Sequence, residues 1–577
     1  MNLLEIKDPS FIKNLSISEL ISLASDVRSF IIDNVSKNGG HLSSNLGVVE
    51  IIEAMHYVFT SPVDKFLFDV GHQCYAHKIL TGRADKFVNL RSKDGVSGFI
   101  NKDESIHDIF ESGHSSTSLS AQCGYLLSNC EGRIVSLIGD ASIANGVALE
   151  ALNYMITLED KAPIIIINDN DMSISKNVGA FNEYLNKLKN KEINNNLFEE
   201  LGYVYLGPYD GNDIKECINA LNKAKDLNKA CIVHFYTKKG KGYLKAENDQ
   251  RGYYHAINRF DVNNGSIIDL EKEKLTYAQV ASLHIEKMLG KEEHFIITPA
   301  MATACYLLDL INKYPRNVID VGIAEEHAAV MASTLALNNK KVILMYYSTF
   351  AQRAYDYIVN DIARLNAPVT ICLDRCDLVS GDGHTHQGIY DLAMFNPLQQ
   401  VSIASACDGD ELCALLDYGD NLKQPFVIRY FKEKTTYSGN IEKISKPNWV
   451  KVKDGKDLTI VTYGNNVSYI LNLVKNLDIS VEVINARFIK PFDQEMLNDI
   501  LKDNKPLIVY ENVVETSSLG SEIMLHAYKN KFFEKKIHTM SLPREINIPS
   551  MDKEEIRVLF NLDEKSILKI MHLLLDK

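Results

Sequence analysis

Two loops 30 positions apart hold residues suited to a cation and the phosphate it would accompany. Gly139-Asp140-Ala141-Ser142 closes the apolar run Ile134-Val135-Ser136-Leu137-Ile138, and Asn168-Asp169-Asn170-Asp171-Met172 closes the run Ile164-Ile165-Ile166-Ile167. A carboxylate and an amide oxygen are hard ligands, and Mg²⁺ takes few protein oxygens and completes its octahedron with water and phosphate. Residues 147–158 carry a helical pattern. The stretch therefore reads as one βαβ unit, with both loops at the carboxyl ends of neighbouring parallel strands. Asp140 and Asn170 are expected to meet there and to hold a diphosphate with its cation. Glycine then aspartate after a strand is also the pattern of a simple turn and helix cap, so the pair alone leaves both readings open.

The elements that must position these loops repeat along the chain. From about residue 46 to 234, helical stretches alternate with short apolar strands at 66–70, 134–138, 164–167 and 231–236. Continuous apolar strands separated by helices predict a parallel sheet covered on both faces. Residues 177–196 interrupt the pattern with Lys and Asn and read as a mobile surface segment. A polar, turn-rich bridge at 245–265 precedes a second alternation, with strands at 318–321, 341–346 and 369–373. A third alternation begins near 451, with strands at 458–461, 481–484 and 507–509. The expected fold class is α/β, with three parallel-sheet α/β domains at 1–265, 266–445 and 446–577.

Composition narrows the partners. At 577 residues, 46% of them hydrophobic, the chain can bury several cores. A net charge of −13 speaks against binding nucleic acid or an anionic membrane surface, so a phosphorylated substrate must be held by local cations. The ten cysteines form no Cys-x-x-Cys pair, and several lie in apolar runs. They read as reduced core residues of a cytosolic protein without a zinc site. Residues 1–8 carry no apolar signal region, and no run of about 18 uncharged apolar residues occurs. The expectation is a soluble, cytoplasmic protein.

Beyond the two loops, the chain carries Gly39-Gly40-His41-Leu42, Asp69-Val70-Gly71-His72-Gln73, Gly113-His114-Ser115-Ser116-Thr117-Ser118 and Lys239-Gly240-Lys241-Gly242-Tyr243. Further on come Ala324-Glu325-Glu326-His327, Tyr347-Ser348-Thr349-Phe350-Ala351-Gln352-Arg353 and Asp382-Gly383-His384-Thr385-His386-Gln387-Gly388. In this order they resemble the 1-deoxy-D-xylulose-5-phosphate synthase family of transketolase-like thiamine diphosphate enzymes. The resemblance runs from position 39 into the C-terminal third. It implies a homodimer whose thiamine diphosphate supplies a carbanion and an electron sink, leaving the protein to position and activate the cofactor. It further implies decarboxylation of pyruvate and transfer of the two-carbon unit to D-glyceraldehyde 3-phosphate, a step toward isoprenoids, thiamine and pyridoxal.

The resemblance also assigns residues. Asp140 and Asn170 bind Mg²⁺, with a backbone carbonyl from Met172. Ala141, Ser142, Gly113, His114, Ser115, His72 and Tyr243 line the cofactor, and Phe350 faces its pyrimidine. Glu325 is expected to bond the pyrimidine nitrogen, which asks for an apolar surrounding that raises its pKa. Glu326, a carboxylate at a helix start, is the alternative. Arg375 and Arg429 stand at equivalent strand ends, where their planar forks suit a phosphate. His41, His255, Asp382 and His386 match positions that orient donor and acceptor and relay protons.

Several residues depart from the family text. Ala141 stands where glycine is usual, Ser43-Ser44-Asn45 follows His41, and Asp377 and His384 are unusual. The segment at 177–196 is also shorter than its usual counterpart. Two rival readings remain at this stage, a transketolase-like paralogue with a ketose donor and a cofactor-binding paralogue without catalysis.

Overall fold

The computed structural model describes residues 1–575 apart from 159, 194, 270, 291 and 292. The chain divides into two compact units, one of residues 1–269, 322–324 and 381–385, the other of 270–321, 325–380 and 386–577.

In the first unit, β1 (Lys65–Phe68), β2 (Ile134–Gly139), β3 (Ile164–Asp169), β4 (Val204–Asp210) and β5 (Cys231–Tyr236) form a sheet in the order β1-β2-β3-β5-β4. All its neighbours pair in parallel. Burial on both faces explains the unbroken isoleucines of β3: Ile164 and Ile166 join one core cluster, Ile165 and Ile167 the other. Strand β4 escapes the sequence pattern because it is a half-buried edge whose Gly207-Pro208 sits at a register shift.

Three stretches differ from the sequence expectation. The helix after β2 is split: Asp140–Ile143 comes first, then Gly146–Met155, whose Val147 N–H is capped at 3.1 Å by the Asn145 side chain. The segment expected to be mobile contains a helix, Ala180–Lys189, which buries Leu185 and Leu188. Its apolar spacing outweighs its lysine and asparagine content. The bridge at 245–265 folds onto the unit, with Phe260 buried and Ile257 pairing with Gly40.

The second unit carries two sheets among the described residues. One contains β6 (His294–Thr298), β7 (Val318–Asp320), β8 (Lys341–Tyr347), β9 (Val369–Asp374), β10 (Ser402–Ser405) and β11 (Phe426–Arg429). The other contains β12 (Val450–Lys453), β13 (Leu458–Thr462), β14 (Val481–Asn485), β16 (Leu507–Val514) and β17 (Ile537–Leu542). Strand β15 (Phe488–Lys490) joins the first of these antiparallel to β10, and β12 pairs antiparallel with β14. These edge strands are the exceptions to the expected parallel pairing; mixed edges are common on α/β sheets. Among the described residues no helix is long and apolar enough to cross a membrane.

Candidate active site

Gly139 of β2 lies opposite Asn168 of β3, so the two loops leave the sheet side by side. The Asn170 N–H donates to Asp140 Oδ2 at 3.2 Å and the Ala141 N–H to Oδ1 at 2.9 Å. The Met172 N–H donates to Asn170 Oδ1 at 3.1 Å. Burial first, then the neighbouring Asp169 charge, hold the buried Asp140 carboxyl well above the usual carboxylate range. A carboxyl so placed gains from a cation. No group of three or more His, Cys, Asp or Glu able to hold a metal occurs among the described residues. A cation at Asp140 would therefore draw on amide and carbonyl oxygens, water and phosphate, a set that fits Mg²⁺. Ala141 lies in the helix beginning at Asp140, so its methyl adds no backbone strain.

Four charged residues near these loops, Asp169, Lys189, Lys239 and Asp69, were given no role by the sequence reading. Burial raises Asp169, but its 3.0 Å hydrogen bond with His234 Nε2 and the nearby Lys189 charge outweigh that and bring it below its usual value. Lys189 also reaches Asp171 at 2.8 Å, so the helix Ala180–Lys189 braces the loop. Buried Lys239, lowered by desolvation to about 8, donates to the carbonyls of Ser173 and Ile174. Asp69 accepts the N–H groups of Ser116 at 2.8 Å and Ser118 at 3.2 Å and is raised by burial, with Ser142 hydrogen bonding against that rise. It thereby fixes the loop of Gly113, His114 and Ser115. Its place in Asp69-Val70-Gly71-His72, just beyond a strand, was the available signal.

Gly113 has φ +70°, and a Cβ there would overlap Thr385. His114 Nε2 lies 3.2 Å from the Thr385 carbonyl. Asp382, in the same short segment, pairs with Arg91 Nη2 at 2.5 Å, while Arg91 Nε donates to the Gly381 carbonyl at 3.2 Å.

Three expected histidines cluster. Ring centroids lie 5.3 Å apart for His41 and His72, 5.8 Å for His41 and His255, and 5.4 Å for His72 and His255. Burial lowers His72 to about 3 and holds His255 well below its usual value. Both rings keep a buried Nδ1 without a hydrogen-bond partner. The backbone beneath them is set by Asn45, whose amide donates to the His41 carbonyl at 2.7 Å and the His72 carbonyl at 2.8 Å. Asn45 Oδ1 accepts the Tyr75 N–H at 2.8 Å. Tyr243 is held otherwise: its hydroxyl donates to the Val262 carbonyl at 3.0 Å, and its ring packs against Tyr254 and Phe260.

In the second unit, Glu325 opens the helix Glu325–Leu337 and is 5% exposed. Burial raises its carboxyl to about 7, against the opposing charge of Arg353, whose Nη1 is 3.6 Å from Oε2. Oε2 has no hydrogen-bond partner. Glu326 is not buried in this way. Phe350 stacks on Tyr347 with ring planes 9° apart and meets His386 edge-on at 5.6 Å. The Arg375 guanidinium lies 4.0 Å over the other ring of that stack, Tyr347.

Arg429 departs from the phosphate clamp expected of it. It is fully buried, with Nε 2.6 Å and Nη2 3.2 Å from the two oxygens of Asp391, so its fork is closed by a carboxylate. Cys376 Sγ adds a 3.1 Å contact to Asp391 Oδ2. The sequence reading gave Asp391 no role, since 38 residues separate the partners and neither lies in a motif.

Strand-end loops on these parallel sheets carry the buried acids and histidines described above. The family descriptions "Transketolase, pyrimidine binding domain" and "Transketolase, C-terminal domain" match residues 273–436 and 448–567. The description "1-deoxy-D-xylulose-5-phosphate synthase" matches residues 3–197 and 186–237. The chain is 41% identical over 570 residues to 1-deoxy-D-xylulose-5-phosphate synthase from Listeria monocytogenes serotype 4b, covering 94% of this chain and 93% of that protein. It is 37% identical over 596 residues to the synthase so named from a Geobacillus species, covering 94% of each. This chain belongs to the 1-deoxy-D-xylulose-5-phosphate synthase family. Among solved structures, a transketolase from Leishmania mexicana aligns over 97% of this chain and 98% of its own at 14% identity, with a TM-score of 0.45, too low to bear on the fold.

Proposed function

We propose that this protein is a transferase, dependent on thiamine diphosphate and Mg²⁺, that condenses pyruvate with D-glyceraldehyde 3-phosphate to give 1-deoxy-D-xylulose 5-phosphate and CO₂. The product feeds isoprenoid, thiamine and pyridoxal synthesis. The observation that carries the reading is Glu325, a buried carboxyl raised to about 7 with one oxygen lacking a hydrogen-bond donor. A carboxyl poised near neutrality suits proton exchange with a ring nitrogen. Bound, thiamine diphosphate supplies the nucleophilic carbon and the electron sink for decarboxylation and transfer.

The chain's own residues bind, orient and move protons. Asp140 and Asn170, with a backbone oxygen from Met172, hold Mg²⁺; Gly113, His114, Ser115, Ala141 and Ser142, with His72 and Tyr243, line the cofactor. Phe350 packs on the pyrimidine face. Arg375 takes the acceptor phosphate; its planar guanidinium, lying over the Tyr347 ring, has the fork that suits bidentate contact. His41, His255, Asp382 and His386 orient the reacting carbonyl groups and pass protons. The reading includes a homodimer in the cytoplasm, supported by family membership.

Purified protein with thiamine diphosphate, Mg²⁺, pyruvate and D-glyceraldehyde 3-phosphate should release CO₂ and give a product with the mass of 1-deoxy-D-xylulose 5-phosphate. Product formed only from a ketose donor, without CO₂, would replace this reading with transketolase chemistry. Sedimentation of the same preparation tests the dimer.

A further inference from the structure

We propose that the C-terminal sheet takes the side chain of Asp377 as an internal ligand at its topological switch point and so positions Arg375 for the acceptor phosphate. This rests on the assignment of Arg375 to that phosphate made above. Asp377 is one of the residues at which this chain leaves the family text, and neither the fold nor the proposed chemistry has otherwise given it a role.

Strand order places the switch point. Strand β13 has β14 on one side and β16 on the other, all three parallel, so the chain passes over β13 after β14 and leaves a crevice beyond the carboxyl ends of β13 and β16. Ligands of open α/β sheets bind in crevices of this kind. Asn466 begins the helix Asn466–Val474 that follows β13, and Asn512 lies on β16 past its last pairing with β13, at Val509. The Asp377 carboxylate meets both. Its Oδ2 accepts the side-chain amides of Asn466 and Asn512, each at 3.3 Å, and Asn512 also donates to Asn466 Oδ1 at 2.7 Å. All three side chains are buried. An ionised carboxyl only accepts, so both amides turn NH₂ groups to one oxygen, as they would to a bound anion.

The turn that carries Arg375 is a strained one. Arg375 and Asp377 have φ of +58° and +77°, a left-handed backbone that residues with side chains adopt at a cost and keep where their surroundings hold them. Several contacts do so. The Cys376 N–H donates to the Tyr430 carbonyl at 3.0 Å, the Asp377 N–H to the Gly388 carbonyl at 2.7 Å, and the Gly388 N–H to the Asp377 carbonyl at 3.0 Å. Asp377 Oδ1 takes the Leu378 N–H at 2.6 Å. These bonds stay among the loops of the second sheet. What Oδ2 adds is a tie to the C-terminal sheet, two residues along the chain from the guanidinium that lies over Tyr347.

The test compares the wild type with Asp377→Asn, Asn512→Asp, the two together, and Asn512→Ala. An asparagine at 377 must turn its own NH₂ either to the Leu378 N–H or to the two amides, and an aspartate at 512 brings a second carboxylate, so each single change breaks the contact. The exchanged pair restores one acceptor among the three side chains. Asn512→Ala adds no charge and lies far from the turn in sequence, and it serves where another single variant fails to fold. Each single variant should raise the KM of the phosphorylated acceptor by about five- to thirtyfold, with kcat, pyruvate KM and the KM of an unphosphorylated aldehyde within about twofold of wild type. The exchanged pair should recover most of that loss, and Asp377→Asn should add nothing once Arg375 is replaced by alanine. Hydrogen exchange of the peptide spanning 374–378 should quicken in the single variants and return toward wild type in the exchanged pair. Unchanged exchange in every single variant overturns the seating of Asp377. Quickened exchange with acceptor KM unmoved, while Arg375→Ala raises it, overturns the positioning of Arg375, as does a full further loss from Asp377→Asn in the Arg375→Ala background. If Arg375→Ala itself leaves acceptor KM unmoved, the phosphate assignment fails, and hydrogen exchange alone decides the seating.

Discussion

Arg429 holds Asp391 through two nitrogens, Nε at 2.6 Å and Nη2 at 3.2 Å, in a pair that solvent does not reach. Arg375, at the equivalent end of the adjoining strand β9, instead lies over the Tyr347 ring. The two arginines look alike in sequence and should separate in experiment. Arg375→Ala should raise the KM of the phosphorylated acceptor by roughly ten- to a hundredfold, the value of one charge-assisted contact, and leave an unphosphorylated aldehyde unaffected. Arg429→Ala should leave Asp391 buried and unpaired, costing about 3 to 5 kcal/mol of stability in urea melts. If Arg429→Ala folds normally and loses only the phosphorylated acceptor, the division of labour is the reverse.

Asp140→Ala removes the charged oxygen proposed for the cation. Calorimetry in the presence of Mg²⁺ should show thiamine diphosphate affinity falling by roughly a hundredfold or more. Circular dichroism should be unchanged. An affinity equal to wild type would move the metal site elsewhere.

Glu325 ties activity and stability to pH. Its folded pKa of about 7 lies above the usual carboxyl value, so the folded protein binds more protons than the unfolded chain between those limits. The contribution of this group to stability is greatest in acid and is lost as pH rises toward 7, on the order of 3 kcal/mol in all. The unliganded protein should therefore lose Tm across that window, and Glu325→Gln should flatten the slope. In the liganded enzyme the same variant should slow hydrogen exchange at the thiazolium carbon by about two powers of ten while binding is kept. If exchange is unaltered, Glu326 is the next residue to examine.

Asn45→Ala takes one amide from beneath His41 and His72 and strands the Tyr75 N–H. Loss of three buried hydrogen bonds should cost about 2 to 4 kcal/mol. The histidine rings would then lose their fixed spacing, and kcat should fall by about tenfold or more with cofactor affinity nearly unchanged. A proportional loss of cofactor binding would mean that Asn45 supports the loop as a whole.

Much of this was legible in the sequence for a physical reason. Strands such as Ile164–Asp169 and Val369–Asp374 are buried on both faces, so their composition is apolar throughout and their ends are marked by the polar loops that carry function. Half-buried β4 and the short antiparallel β15 lack that signature and were missed. Residues in loops after strands were readable; their partners were not. Asp391, Arg91 and Asn45 act through contacts set by tertiary packing, and spacing along the chain does not reveal such contacts. The helix Ala180–Lys189 was hidden by composition, since two buried leucines anchor a segment otherwise rich in lysine and asparagine.

The alternation of β3 sets a limit on how this chain tolerates insertions and deletions. Ile164 and Ile166 belong to one core and Ile165 and Ile167 to the other, and the same strand ends on Asn168 and Asp169, with Asn170 just beyond it. Losing one residue within the strand would slide everything after the gap onto the opposite face. Asn170 would then be displaced from Asp140, and three isoleucines would be left for four buried places, with Asn168 falling where Ile167 packs. Such a variant should lose core packing together with the cation site proposed at Asp140, whereas the same deletion on the polar turn before the strand would shorten a surface loop. In this sheet, reading frame along a strand matters more to the chemistry than the identity of its apolar residues.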